Sequence, residues 1–326
     1  MVLLLNEAEV SGLYAVRNAI EDVEMALREL GEGAAINQPR NRVITGNGSL
    51  QVMSGFVPGA QALGLKYYSA SRSGASFVVS LFDSETGQLL AIMEGNTLGQ
   101  IRTGAASGVA SKVLARADAS SVSVIGSGWQ ARTQLEAVCA VRNIERANVF
   151  SRDSERRGAF ARDMSEKLEI PVTAADSGEE AVRGTDIVIV ITNARTPVLE
   201  GQWLEPGMHV NAAGSNRANA AELDVAAVAR ANVITVDQLD DAKIESGDLI
   251  AAVQADAVAW ENVIELGTIL AGKAEGRVAD EQITLFESQG LAIEDLVAAR
   301  RVYDLATKQG IGTEIPLFTS GGGKPR

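Results

Sequence analysis

The chain has 326 residues, of which 46% are hydrophobic, and a formal net charge of −13 at pH 7. This length allows two domains with a large core, and no apolar run approaches the roughly 20 residues that a transmembrane helix needs. The negative charge disfavours nucleic acid and anionic membranes as partners. One cysteine, Cys139, favours a reducing, cytoplasmic location, and a single histidine is too few for a dedicated zinc site, so we expect no metal.

The first third of the chain predicts an α+β domain. Residues 2–5 read as a strand, and residues 7–30 read as one long amphipathic helix because apolar side chains recur there at helical spacing. Short, turn-bounded segments then indicate strands. These segments are 42–45, 49–53, 63–69, 77–82 and 88–94, the last two flanking a hairpin turn at 83–87. A second helix is predicted over residues 97–114, and the whole pattern is typical of a mostly antiparallel sheet with helices.

From residue 120 onward the pattern changes to strands that alternate with helices. The predicted strands are 122–125, 147–150, 170–173, 186–191, 209–213, 233–236 and 282–286. This alternation is typical of a doubly wound parallel sheet, so the predicted fold class is α/β with an added α+β domain. A last helix over 293–309 is expected to return to the first domain, and residues 321–326 are expected to form a flexible tail.

The segment 122–152 predicts a dinucleotide-binding unit of the Rossmann type. An apolar strand enters a glycine-rich loop, a helix follows, and a second strand ends near residue 150. In such a loop the first glycine permits a tight turn, the second lets the backbone approach a pyrophosphate, and a small residue lets helix pack on strand. The alternative is a glycine-containing loop without a ligand. The cofactor-binding residues predicted here are Gly126, Ser127, Gly128, Trp129, Gln130 and Ala131.

The end of the second strand favours NADP over NAD. An NAD site usually carries an acid at this point, whereas this chain has Ser151 and Arg152, with Arg156 and Arg157 one turn further on. A hydroxyl and a guanidinium would hold a 2′-phosphate that an acid would repel. The alternatives are a solvated helix face for the arginines and, because Asp153 is adjacent, an NAD site. We therefore expect NADPH, with NADH less favoured.

Seven separated blocks of the chain carry a resemblance to a known family. They are residues 38–40, 63–66, 98–105, 124–128, 209–215, 245–249 and 284–286. In order and spacing they resemble the ornithine cyclodeaminase and mu-crystallin family over nearly the whole chain. The resemblance implies a substrate-binding and dimerisation domain, here residues 1–116 with 293–326, and a Rossmann domain, here residues 117–292. It also implies hydride transfer at the α-carbon of small amino or imino acids, the latter formed from oxo acids and amines.

By this resemblance Arg40, Lys66 and Arg102 correspond to the family's carboxylate-binding cluster. Guanidinium and ammonium groups can grip and orient the planar carboxylate of an imino acid. Desolvation among cations would also lower the pKa of Lys66, which makes it the best available proton donor or acceptor. The alternative for each cation is a snorkelling surface residue. Arg42 lies two residues from Arg40 on the same strand face, so either arginine could bind the carboxylate.

Asn216 is the departure from the family that matters most. In the cyclodeaminases this position is associated with an aspartate that serves acid–base chemistry, and asparagine cannot take up a proton at neutral pH. Imine reduction requires mainly an anchored carboxylate and a well-placed nicotinamide, whereas cyclodeamination needs proton transfer. Gln51 replaces another acid expected in cyclodeaminases, although an ordinary polar strand residue is the alternative. Asn216 is retained as a candidate catalytic residue.

Three further residues are predicted to lie near the nicotinamide. Thr192 and Asn193 follow a strand at the carboxyl edge of the sheet, and Ser288 resembles a family position close to the nicotinamide. His209 begins an apolar strand, which predicts a buried, hydrogen-bonded residue; a proton donor is the alternative. The strands 77–82 and 88–94 are apolar on both faces, which predicts a homodimer formed through the first domain.

The sequence therefore predicts an NADP-dependent imine (ketimine) reductase or amino-acid dehydrogenase. One alternative is an ornithine or related diamino-acid cyclodeaminase with tightly held nicotinamide. An alternative of another class is a crystallin-like protein that binds NADP without turnover.

Overall fold

The computed structural model describes residues 1–72 and 74–317, which form two eight-stranded sheets with flanking helices. The strands are β1 Val2–Leu5, β2 Ile36–Asn37, β3 Asn41–Ile44, β4 Gly48–Val57, β5 Ala62–Ser71, β6 Gly74–Phe82, β7 Leu89–Glu94, β8 Ser121–Ile125, β9 Arg146–Phe150, β10 Val172–Ala174, β11 Ile187–Val190, β12 His209–Ala212, β13 Val233–Val236, β14 Val263–Glu265, β15 Thr284–Glu287 and β16 Thr313–Ile315. The helices are α1 Glu7–Leu13, α2 Val16–Glu32, α3 Asn96–Leu114, α4 Trp129–Val141, α5 Ser154–Leu168, α6 Gly178–Val182, α7 Val225–Arg230, α8 Leu239–Glu245, α9 Gly247–Gln254, α10 Leu266–Leu270 and α11 Ala292–Gln309. The tail predicted at 321–326 lies outside the described residues.

The first sheet has the strand order β16-β1-β7-β6-β5-β4-β2, with β3 paired to β4. Its pairs are antiparallel except β1 with β7, so the predicted mostly antiparallel sheet and its hairpin are confirmed. Helix α11 packs on one face, against β4 and β5. Glycines permit this approach, because a Cβ at Gly55 would lie 2.9 Å from Ile293 and one at Gly64 would lie 2.9 Å from Leu296. These contacts support the division into 1–116 with 293–326 and 117–292, which stays a prediction.

The single helix predicted over residues 7–30 is wrong, because two helices are present. Helix α1 ends at Leu13 and α2 begins at Val16, while Tyr14 and Ala15 between them have extended backbone angles. Tyr14 is buried and its hydroxyl donates to Asp22, 3.3 Å away in α2. The apolar spacing continues across the break, so periodicity alone does not reveal the turn that this buried hydrogen bond stabilises.

The second sheet is parallel throughout, in the order β10-β9-β8-β11-β12-β15-β13-β14. Its central strands are buried along their whole length, since helices cover both faces. The predicted doubly wound sheet is confirmed. The chain runs outward from β8 through β9 to β10, then returns to the other side of β8 at β11. This reversal creates a crevice at the carboxyl ends of β8 and β11, the place where ligands bind in sheets of this type.

His209 and Asn211 of β12 form a buried polar link from the second sheet to α3. His209 Nδ1 lies 2.9 Å from Thr284 Oγ1, and its Nε2 lies 3.2 Å from Asn211 Oδ1. Asn211 in turn donates to Ser111 of α3 over 2.9 Å. Burial lowers the pKa of His209 to about 3, so the ring is neutral. The predicted buried, hydrogen-bonded role of His209 is confirmed.

No helix among the described residues is long and apolar enough to cross a membrane.

Candidate active site

A cavity of about 1160 Å³ opens between the first sheet and the carboxyl edge of the second. It exceeds the roughly 300–1,000 Å³ typical of small-molecule pockets, so it can hold an extended ligand. Every site residue predicted from the sequence lines this cavity except Ala131, which is fully buried in α4. The structure thus brings the predicted residues together, while their individual roles stay predictions.

The glycine loop is shaped for close approach of a ligand to its backbone. Gly126 has φ +116°, and a Cβ there would lie 2.2 Å from the carbonyl oxygen of Ile191, so a side chain is excluded. Gly128 is the N-cap of α4 and provides no side-chain cap, which leaves backbone N–H groups at the cavity wall. A helix start with free N–H groups suits a pyrophosphate. The loop therefore fits a dinucleotide, as the sequence predicts.

Hydrogen bonds fix the end of β9 beside this loop. The hydroxyl oxygens of Ser127 and Ser151 lie 2.7 Å apart. Arg157 donates to the backbone carbonyl of Ser151 over 2.8 Å, and its guanidinium lies 5.3 Å from the centroid of the Phe150 ring. Arg157 therefore supports the strand end.

Two other cations remain exposed at this end of the cavity. Arg152 and Arg156 both line it and are exposed to solvent. Asp153 caps α5, because its Oδ1 accepts the backbone N–H of Arg156 over 3.0 Å. Its Oδ2 pairs with the Arg156 side chain at 3.3 Å. The acid that could favour NAD is thus engaged in helix capping.

At the opposite end of the cavity, two buried cations share one carboxylate. Lys66 Nζ of β5 lies 2.7 Å from Asp295 Oδ1, and Arg102 Nε of α3 lies 3.1 Å from the same oxygen. Arg102 also pairs with Glu294 at 2.6 Å. All four side chains are at most 8% exposed, so α11 supplies the counter-charges that hold both cations in place.

Burial and neighbouring charge set the protonation of these groups. Burial lowers the pKa of Lys66 to about 8, although the Asp295 carboxylate opposes the fall. Burial also disfavours the charged form of Arg102, but Asp295 and Glu294 together raise its pKa. Burial raises the pKa of Glu294. Lys66 is therefore the cation of this cluster that can gain or lose a proton near neutral pH.

Arg40 and Arg42 both bind Glu245 of α8, which confirms that they lie on the same face. Arg40 Nη1 lies 3.1 Å from Glu245 Oε2, and Arg42 Nη1 lies 2.6 Å from Oε1. Arg40 Nη2 also donates to the backbone carbonyls of residues 289–290. Arg42 donates to the backbone carbonyl of Asn216 over 3.0 Å. These arginines join the first sheet to α8 and to the segments that follow β12 and β15.

Aromatic and amide side chains line the cavity wall beside Lys66. The rings of Tyr68 and Phe77 stack with centroids 4.8 Å apart, and Lys66 Nζ lies 5.5 Å from the centroid of Phe77. The Tyr68 hydroxyl donates to the side-chain carbonyl of Gln51. Among the described residues that line the cavity, only Asp153 carries a carboxylate, and it lies at the far end.

The residues predicted to lie near the nicotinamide, and the candidate catalytic residue Asn216, follow three strands of the second sheet. Thr192 and Asn193 follow β11, Asn216 follows β12, and Ser288 follows β15; all four line the cavity. Ser288 donates to Asp237 over 3.3 Å. The carboxyl ends of parallel strands meet at one edge, which explains why residues far apart in sequence share this surface.

Sequence reasoning missed the acids and aromatics that complete the site. Glu294 and Asp295 lie within an otherwise apolar helical segment, a pattern that signals buried and paired charge. Tyr68 lies two residues after Lys66 in β5, so both side chains lie on the same face of the strand. The position of Lys66 therefore predicts that Tyr68 also faces the site. No local pattern singles out Glu245 as the partner of Arg40.

Comparison with known proteins shows the family. The model for the Ornithine cyclodeaminase/mu-crystallin family matches residues 1–310. Delta(1)-pyrroline-2-carboxylate reductase of Bacillus cereus is 37% identical over 325 residues, which is 96% of this chain and 99% of that protein.

Solved structures agree over the same length. Thermococcus litoralis Delta(1)-pyrroline-2-carboxylate reductase, in complex with NADH and L-proline, is 38% identical with a TM-score of 0.93, covering 96% of this chain and 100% of that one. An archaeal alanine dehydrogenase dimer with bound NAD is 33% identical with a TM-score of 0.92, covering 97% and 99%. The chain therefore belongs to the ornithine cyclodeaminase/mu-crystallin family and is a nicotinamide-dependent oxidoreductase.

Proposed function

We propose that the protein is an NADP-dependent imine (ketimine) reductase or amino-acid dehydrogenase that acts at the α-carbon of a small imino acid. The observation that carries the proposal is that one cavity joins a dinucleotide loop to two buried cations, Lys66 and Arg102. Reduction of a cyclic ketimine by the Bacillus and Thermococcus relatives, as their names state, supports this substrate class. The substrate is a pyrroline or piperideine carboxylate, or an acyclic imine of an oxo acid and an amine.

The chain's own residues bind and orient the imino acid in this proposal. Lys66 and Arg102 grip its carboxylate and so fix the α-carbon relative to the nicotinamide end of the cavity. The stacked rings of Tyr68 and Phe77 cover its carbon skeleton. Lys66, with a pKa of about 8, supplies the proton when the imine is neutral. The nicotinamide, when bound, supplies the hydride.

A cyclodeaminase would need acid–base groups that this cavity lacks among its described lining residues. Asn216 and Gln51 are amides, and Asp153 lies at the adenosine end. A second amine on the substrate would then have no carboxylate to pair with or to take its proton. Reduction is therefore favoured over the cyclodeaminase alternative. The two buried cations, whose placement costs desolvation energy, also favour turnover over a binding role alone.

The preference for NADPH is proposed from this chain's own residues. The similar structures hold NADH or NAD, so the nicotinamide dinucleotide is common to both possibilities. Ser151 and the exposed Arg152 and Arg156 line the end of the cavity where a 2′-phosphate would lie. A charge-assisted contact there stabilises a phosphate, and Asp153 is occupied as a helix cap.

We also propose a homodimer that buries the outer face of the first sheet, opposite α11. Apolar side chains on this face are exposed: Ile36 by 53%, Val43 by 63%, Leu50 by 46% and Val52 by 37%. The outward residues of β6 and β7 continue the same surface. A second copy would supply the covering layer that an apolar face requires, and the similar alanine dehydrogenase is a dimer.

Purified protein is expected to oxidise NADPH when given a cyclic ketimine, or pyruvate with methylamine, and to form no proline from ornithine.

Lys66→Ala and Arg102→Ala should each lose roughly 3 kcal/mol of transition-state stabilisation, about a hundredfold in kcat/KM. Absorbance at the nicotinamide band measures turnover, and NADPH affinity serves as the control that should stay unchanged. Normal turnover by either variant, or efficient proline formation, would contradict the proposal.

The reaction should also lose efficiency above pH 8. Lys66 is charged below its pKa of about 8 and neutral above it, so carboxylate binding weakens and kcat/KM should fall about tenfold per pH unit in the basic limb. Lys66→Arg keeps the charge that binds the carboxylate but cannot give up a proton at these pH values, so its KM should stay constant up to pH 10 while its kcat stays low. Lys112→Arg, an exposed lysine of α3, is the matched control. A KM that still rises above pH 8 in Lys66→Arg would assign the titration to another group.

Arg152→Ala should weaken NADPH binding by about 1 to 3 kcal/mol, because a charge-assisted contact to the 2′-phosphate is lost, and should leave NADH binding unchanged. Arg162→Ala, at an exposed arginine within α5 that does not line the cavity, controls for loss of general positive charge. Calorimetric titration measures the affinity of wild type and of each variant for NADPH and for NADH. An equal loss with both cofactors would count against a 2′-phosphate site.

Light scattering at micromolar concentration should give about twice the chain mass of 34.2 kDa. The double variant Val43→Asp with Leu50→Asp should give a monomer, because two charges would be buried in the apolar interface. Val278→Asp changes an equally exposed apolar residue, 65% exposed, outside this face, and should remain dimeric. A monomeric wild type would refute the dimer.

A further inference from the structure

Glu222 is a buried acid that lies behind the cavity wall and is 1% exposed. Its Oε1 accepts the backbone N–H and the hydroxyl of Thr192, each over 2.6 Å. Its Oε2 accepts the backbone N–H of Gly214 over 2.7 Å. Thr192 and Gly214 follow the adjacent strands β11 and β12, and both line the cavity. One carboxylate therefore ties together two segments of the cavity wall.

The contact between Glu222 and Gly214 leaves no room for a side chain. A Cβ at Gly214 would lie 2.4 Å from both carboxylate oxygens and 2.4 Å from the backbone nitrogen of Thr192. The carboxylate thus packs directly against the backbone at the start of the segment that leads to Asn216. That segment therefore begins in direct contact with Glu222.

Hydrogen bonds on the side away from the cavity hold the backbone of Glu222. Asp248 Oδ1 accepts the backbone N–H groups of Glu222 and Leu223, each over 2.7 Å. The backbone carbonyl of Glu222 accepts from Val198 over 2.7 Å and from Leu199 over 3.0 Å. The carboxylate is therefore a fixed point from which the two cavity segments are held.

Burial of the Glu222 carboxylate costs desolvation free energy, which its hydrogen bonds offset. Burial raises the pKa of Glu222 to about 7, and Asp248 adds to the rise while the donors from Thr192 and Gly214 oppose it. The Glu222 carboxylate also repels that of Glu287, a buried acid whose pKa this repulsion helps to raise. Both carboxylate oxygens accept from N–H or O–H donors, so an amide of the same size would place its own donor against one of them.

We infer that Glu222 is a positioning residue for the reaction. Its carboxylate sets the spacing of the segment with Thr192 and Asn193 and the segment with Asn216, and so shapes the nicotinamide end of the cavity. The inference rests on the proposed function for the place of the nicotinamide. Glu222 lines no part of the cavity and acts through the residues that it holds.

Glu222→Gln tests this role with little change in volume. The amide Nε2 is a donor and would face a backbone N–H of Thr192 or Gly214, so one segment loses its acceptor. Asp186→Asn is the matched control. Asp186 Oδ2 also accepts three bonds, from the backbone N–H groups of Ser120 and Ser121 over 3.0 Å each and from the Ser121 hydroxyl over 2.7 Å. It precedes β11, at the sheet edge opposite the cavity.

Glu222→Gln should lower kcat/KM for imine reduction at least tenfold and weaken NADPH binding at least fivefold, while affinity for ADP stays within twofold of wild type. ADP carries no nicotinamide, so its affinity reports whether the loss is confined to the nicotinamide end. Asp186→Asn should keep kcat/KM, NADPH affinity and ADP affinity within twofold of wild type. This should hold even if its unfolding midpoint falls as far as that of Glu222→Gln. Equal kinetic and binding values for the two variants would overturn the inference, as would a parallel loss of ADP binding.

A second pair of variants decides the matter if Glu222→Gln does not fold. Thr192→Ser keeps the hydroxyl that donates to Glu222 and should retain at least five times the kcat/KM of Thr192→Val, which lacks it. Equal values for the pair would overturn the inference.

Hydrogen exchange separates this inference from the proposed function. In Glu222→Gln, amide exchange in peptides 191–197 and 212–218 should rise at least fivefold, with no such rise in Asp186→Asn. This pattern in a protein that reduces no imine would refute the proposed reaction and sustain the positioning role. Unchanged exchange in both peptides would refute the positioning role, whatever the activity.

Discussion

The pairing of Lys66 and Arg102 with one carboxylate, Asp295, is the interaction on which the site depends. The three residues come from β5, α3 and α11, and both cations contact the same oxygen. A buried cation without a partner is strongly destabilising, so burial of either cation requires α11 to be packed on the first sheet. Room is also required: a Cβ at Gly99 would lie 3.2 Å from Lys66 Nζ. The packing of the last helix and the burial of both cations therefore depend on each other.

The parallel sheet supplies the other half of the cavity by a different route. Its reversal of strand order at β8 and β11 exposes the glycine loop on one side, and the segments after β11, β12 and β15 on the other. Buried acids hold these segments in place, with Glu222 behind Thr192 and Gly214 and Asp237 behind the loop after β15. Arg40 and Arg42 then connect both halves through Glu245. The cavity is therefore held by ion pairs and by hydrogen bonds from buried carboxylates to the backbone.

Local chemistry made much of this arrangement predictable. The turn at Gly126 and the alternation of strands and helices follow from backbone geometry and apolar pattern, so the Rossmann unit was recoverable. The break at Tyr14 and the pairing of Lys66 with Asp295 were not, because each depends on a contact that forms only in the folded chain. The resemblance placed Lys66 and Arg102 in one site, but it gave no partner for either. Tertiary contacts of acids with distant cations leave no periodic signal in the sequence.

The central claim is that Lys66 and Arg102 recognise a carboxylate on the substrate. Binding of L-proline and of L-prolinamide to the enzyme with oxidised cofactor, measured by calorimetric titration, tests it most directly. The two ligands share the ring and differ in the group presented to the cations. Loss of two charge-assisted contacts predicts at least a hundredfold weaker binding of the amide. Equal affinity for the two ligands would contradict the account.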